Sequence, residues 1–142
     1  MSGLVTPADL KRIAEEQETA KLQEALERKR RHEEEERRFY EDFMSREPQP
    51  DALERFNAVV SRAAASGLSE VKVMEFPASW CTDGGRAINN FEESWPETLQ
   101  GWAKNAYAYF KQHLEGSGYK VRAQILNYPD GNLGTVGIFV SW

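Results

Sequence analysis

Cysteine and histidine are nearly missing from this chain: Cys81 stands alone, and the histidines are His32 and His113. One cysteine excludes an intramolecular disulfide and fits a reducing compartment. One cysteine and two scattered histidines also match no recognised zinc-ligand spacing, so no metal site and no cofactor is expected. Long apolar runs are absent too, which leaves nothing to cross a bilayer. The opening Met-Ser-Gly-Leu-Val-Thr-Pro has neither a basic segment nor the apolar segment of a secretory signal, and Ser at position 2 excludes N-myristoylation. A cytoplasmic protein without a membrane role is expected. Neither sign of charge prevails. The net charge is −5, with 10 basic and 13 acidic residues in 1–50 and 8 and 10 in 51–142. That balance argues against a general phosphate-binding surface, and nucleic acid is not expected as a partner.

Glycine and proline are missing from Ala8 to Glu47, and residues 28–38 contain nothing apolar (Arg-Lys-Arg-Arg-His-Glu-Glu-Glu-Glu-Arg-Arg). The two absences together predict a long helix whose middle no core can bury. Thr6 is placed to cap it, with Pro7 in the first helical position and Asp9 as the reciprocal partner of the cap. Pro48 disfavours helix at the residue before it, so the helix should end there. About 40 residues at ~1.5 Å rise make a rod of roughly 60 Å. Glu24–Arg28, Glu27–Arg31, Glu33–Arg37 and Glu34–Arg38 are i,i+4 pairs in the better orientation, and Lys29–Glu33, Arg30–Glu34, Arg31–Glu35, Arg37–Glu41 and Arg38–Asp42 are in the weaker one. Each is worth about 0.2–0.5 kcal/mol, enough together to support the middle without tertiary packing.

Heptad phase separates the ends of this helix from its middle. Leu22, Ala25 and Leu26 start a seam that resumes, in phase, at Phe39, Tyr40 and Phe43. Between them the seam positions are Lys29, His32 and Glu36. One polar core residue is tolerated in a two-stranded coiled coil, but three in succession interrupt a tight seam. The reading is an arm, or partial coiled coil, with two adhesive ends. Phe39, Tyr40, Phe43 and Met44 should pack on the chain's own domain, and Leu22, Ala25 and Leu26 seek another surface. The basic cluster at 28–31 is followed at once by four glutamates, which the same phosphates would repel.

The remainder reads as a small α+β domain. The division is 1–47 helical arm, 48–50 stiff Pro-rich linker, and 51–142 compact domain. Asp51 and Glu54 form a capping-box signal for a helix that Gly67 ends. Residues 70–76 read as a strand with Val71 and Val73 on one face, closed by Pro77. Ser94 with Glu97 predicts a helix starting at Trp95 and carrying Leu99, Trp102, Ala103, Ala106, Phe110 and Leu114 on one stripe. Residues 119–125 and 135–142 alternate as half-buried strands around the turn at 129–134. The predicted order is helix, strand, loop, helix, β-hairpin: two layers with a mostly antiparallel three-stranded sheet of undetermined strand order.

Chemically capable groups are densest at 77–91. Asp83 is placed to cap a short helix at about 84–91. Gly84 and Gly85 would then offer backbone N–H groups, with Arg86 adding positive charge and Asn89 a side-chain amide, an arrangement suited to a carboxylate or phosphate. The competing structural reading is a tight turn that satisfies itself. The spacing matches neither dinucleotide-binding nor P-loop motifs. Cys81 as a nucleophile would need a base, and no histidine is close in sequence. The sequence therefore favours a non-enzymatic interaction or assembly protein, docking on a protein partner or on its own copies through Leu22, Ala25, Leu26, Phe39 and Phe43. A sensor of small anions at Asp83, Gly84, Gly85, Arg86 and Asn89 is second. An enzyme built on Cys81 or Asp83 is third.

Overall fold

A computed structural model describes residues 3–142 of the chain, which fall into two units, 3–42 and 43–142. The first unit is helical. Helix α1 runs from Pro7 to Ser45, so its last residues belong to the second unit. The predicted N-terminal cap is present. The Thr6 backbone N–H donates to Asp9 Oδ2 at 3.0 Å, and the Asp9 N–H donates to Thr6 Oγ1 at 3.3 Å. The shorter Asp closes the same reciprocal box that Glu usually closes, and the Thr6 bonds hold the Asp9 carboxyl below its ordinary range. Of the anticipated charge pairs, Arg37–Glu41 forms at 3.8 Å, while Arg28 turns to the Glu24 carbonyl instead.

The second unit is α+β. Helix α2 (Ala52–Ala65), strand β1 (Glu70–Pro77), the short helix α3 (Arg86–Asn89), helix α4 (Gly101–His113) and strands β2 (Lys120–Ile125) and β3 (Thr135–Ser141) follow in order. The sheet order is β1-β3-β2, antiparallel throughout, so the last strand lies in the centre. That settles the strand order the sequence left open. Val136, Ile138 and Val140 of β3 are buried on one face, opposite Val121, Ala123 and Ile125 of β2.

Strand β1 departs from simple alternation. Lys72 pairs with Phe139 and Met74 with Ile138, leaving Val73 unpaired in a bulge. The extra residue reverses the facing of the rest of the strand, so Met74 and Phe76 turn to the core. Val73, expected inward with Val71, is exposed. On the other face, Arg122 lies 4.2 Å from the Phe139 ring and reaches Glu70 with two bonds of 2.7 and 2.6 Å. One side chain thereby spans all three strands.

Two predicted helix starts differ in detail. Asp51 makes no side-chain cap to α2, because its carboxylate accepts from Arg55 Nε at 2.7 Å. The helix expected from Trp95 begins instead at Gly101. The Ser94 signal produces a single 3-10 turn, Trp95–Thr98, after which Leu99 is extended and buried. The break has a packing cause. Gly101 sits at φ +56, and a Cβ there would lie 2.6 Å from both the Met44 Cα and the Phe43 carbonyl oxygen. A helix continuous from Trp95 would deny Leu99 its extended, buried position, and the close approach at 101 leaves no room for a side chain where α4 starts.

The core gathers Phe43, Phe76, Ala78, Cys81, Ile88, Leu99, Ala103, Ile125, Val136 and Ile138. A smaller cluster joins Phe110, Leu114 and Val140 with Phe56 and Tyr119. Phe43 is 8% exposed, with ring centroids 5.2 Å from Phe76 and 4.8 Å from Trp80. Just beyond it, Asn105 Nδ2 donates to the Arg46 carbonyl at 2.8 Å and ties α4 to the chain leaving α1.

Candidate functional site

A helix of 39 residues with one buried position is the first candidate. Leu22 is 62% exposed, Leu26 53% and Phe39 70%, and Ala25 is exposed beside them. Leu10, Ile13 and Tyr40 are exposed as well. The heptad pattern does not single out Leu10 and Ile13, although two apolar residues at i,i+3 in a charged helix are a visible signal. Phe39 was expected against the domain. Of its group, only Phe43 and Met44 join the core. Phe43 thus lies inside the second unit, whereas Leu22, Ala25, Leu26 and Phe39 are on the surface.

The charged middle of α1 is sparsely paired. His32 Nε2 lies 3.0 Å from Glu36. Lys29, Arg30, Arg31, Glu33, Glu34 and Glu35 form no ion pair with any described residue. Three successive cations and three successive carboxylates therefore stand without salt-bridge partners among the described residues.

The turn at 77–91 is the second candidate. Asp83 accepts from the Gly85 N–H at 2.9 Å through one carboxylate oxygen and from the Ala87 N–H at 2.8 Å through the other. The carboxylate thus occupies two N–H groups that an external anion would use, and any such anion would compete with it. Gly84 and Gly85 both have positive φ, and Gly85 is buried with Ala78, Ile125 and Leu133 around the place of a side chain. Arg86 is exposed. Asn89 Oδ1 accepts from the Tyr128 hydroxyl at 2.9 Å, a contact that no local sequence signal announced. Asp83 thus organises the backbone of Gly85 and Ala87, while the exposed Arg86 side chain and Asn89, which faces Tyr128, are not joined to its carboxylate.

Cys81 is buried, and burial pushes its thiol up to about 11, with the nearby Asp83 charge adding and a Thr98 hydrogen bond opposing. It is protonated at neutral pH, which does not suit a nucleophile. His113 is exposed and packs on the Tyr109 ring, centroids 4.5 Å apart. Among the described residues, no three His, Cys, Asp or Glu side chains gather as a metal-ligand set, and no helix is long and apolar enough to cross a membrane.

One further exposed feature escaped the sequence. Phe91 is 83% exposed at φ +55, the position after the α3 C-cap where glycine is usual. Its N–H donates to the Ile88 carbonyl, and the Glu92 N–H reaches back to Ala87 at 2.9 Å, which closes a Schellman turn. No protein-family model, no curated protein and no solved structure matches the chain.

Proposed function

We propose that this is a non-enzymatic interaction protein that docks on a protein partner, or on further copies of itself, through α1. The carrying observation is the set of large apolar side chains left in water along one helix: Leu22, Leu26 and Phe39, with Leu10 and Ile13. Covering such side chains gains roughly 25 cal/mol per Å² of apolar surface removed from water. A helix with so little burial gives up that gain in isolation and recovers it on contact. The protonated Cys81 and the self-satisfied turn at Asp83 favour binding over chemistry as the role of this chain.

The direct test compares the full chain with a Leu22→Glu/Leu26→Glu variant by light scattering and by affinity capture with quantified prey. Circular dichroism confirms that both are equally helical. The variant should lose self-association or lose a specific, stoichiometric partner. Identical behaviour in both assays would end the proposal.

A further inference from the structure

We propose that α1 pairs antiparallel with α1 of a second copy of this chain, the two-fold axis passing beside His32. This rests on the reading of α1 as the interaction element and supplies its partner. Two independent patterns in the helix share that centre.

The first pattern is charge. Arg28, Lys29, Arg30 and Arg31 precede His32, and Glu33, Glu34, Glu35 and Glu36 come after it. In an antiparallel pair centred there, the basic block of one copy lies along the acidic block of the other, and the symmetry repeats the contact. Because the helix has about 3.6 residues per turn, the facing side chains are Arg28 and Lys29 against Glu35 and Glu36, while Arg30, Arg31 and Glu34 point away from the seam. A parallel pair in register would instead set cations on cations and carboxylates on carboxylates. Like charges placed together are a strong discriminator between partners and registers.

The second pattern is apolar. Leu22, Ala25 and Leu26 lie before His32 at about the distance at which Phe39 and Tyr40 lie after it. The same register lays the exposed leucine patch of one copy along the exposed aromatic patch of the other, at both ends of the contact. The polar seam positions cease to be an obstacle. Lys29 faces the turn holding Glu35 and Glu36 instead of a second Lys29. The absence of ion pairs at Lys29 and Glu35 among the described residues leaves these seam-side groups available for this contact, and the outward Arg30, Arg31 and Glu34, also without ion pairs there, add only to the field of each block. A foreign partner would have no reason to share the dyad that the charge and apolar patterns define together.

The test uses the full chain throughout. Arg28→Cys and Glu36→Cys variants are oxidised singly and mixed, with the parent protein as the control for buried Cys81. The mixture should form an interchain disulfide and each variant alone little of it. Light scattering at low salt should show a dimer that weakens as salt rises, since the Debye length falls from ~10 Å at ~0.1 M to ~3 Å at ~1 M. Replacing Arg28, Lys29, Arg30 and Arg31 by Glu should raise the dissociation constant about tenfold or more. Adding Glu33→Lys, Glu34→Lys, Glu35→Lys and Glu36→Lys to that chain should restore pairing with itself but not with the parent. Circular dichroism on every variant separates a lost contact from a lost helix. A full chain that stays monomeric at low salt across the micromolar range overturns the self-pairing and leaves α1 to a foreign partner. Disulfides within a single variant, or no restoration by the charge swap, overturn the antiparallel register. If the Leu22→Glu/Leu26→Glu variant also behaves as the parent in every assay, the interaction reading itself falls.

Discussion

Phe91 and Cys81 show how single residues carry strain and charge in this fold. A left-handed backbone costs an L-residue about 1–2 kcal/mol, and Gly adds roughly 0.4–1 kcal/mol of unfolded-chain entropy when introduced. Phe91, 83% exposed at φ +55, has little packing to set against the strain. Phe91→Gly should therefore raise the unfolding free energy by about 0.5–1 kcal/mol in urea titrations. A loss of stability would reveal packing that its exposure does not indicate. The thiol of Cys81 is raised from 9.0 to about 11 chiefly by burial. The folded protein keeps this proton where the unfolded chain releases it. The associated stability is present below about pH 9 and is lost as pH rises toward 11. The difference in unfolding free energy between the parent and Cys81→Ala should fall over that window, and iodoacetamide should label Cys81 at neutral pH only after unfolding. Rapid labelling of the folded protein would contradict its burial.

At the scale of elements, the junction between the end of α1 and the start of α4 is the tightest. Gly101 combines a positive φ with backbone atoms 2.6 Å from any added Cβ. Gly101→Ala should destabilise the protein by more than about 2 kcal/mol, seen as a lower urea midpoint with an unchanged slope. Tolerance of Ala would mean that α4 starts elsewhere. The same junction explains why the Ser94 cap signal misled. Local spacing reports what a segment favours alone, whereas Leu99 is drawn out of the helix by its place in the core. Strand β1 shows the same limit. Val71 and Val73 share a face by alternation, and only pairing with β3 introduces the bulge that separates them.

For the whole molecule, the division between the two units falls within α1 and not at the prolines. Residues 43–142 form the second unit, and Phe43 is part of its core. Phe43→Ala should cost about 3–5 kcal/mol, as large core truncations do. A chain beginning at Pro50 should be destabilised at least as much, while one beginning at Asp42 should keep its cooperative unfolding. Equal stability of the two truncated chains, by thermal or urea unfolding, would contradict the role of Phe43.

The sequence by itself determined the long helix, its Thr6–Asp9 cap, its charged middle and the α+β order of the rest. These arise from local rules: missing glycine and proline, charge spacing and apolar periodicity act over a few residues. It also marked Asp83 as the organiser of the turn at 83–89, because a capping carboxylate acts on its own neighbours. Only the tertiary structure decided that β3 is the central strand, that β1 carries a bulge, that α4 waits until Gly101, that Tyr128 meets Asn89, and that Phe43 is buried while Phe39 is not. Each of these depends on partners far away in sequence. Phe39 and Phe43 lie four residues apart on one helix and look alike in the heptad pattern. What separates them is whether Phe76 and Trp80 are there to receive the ring, a fact no local spacing contains.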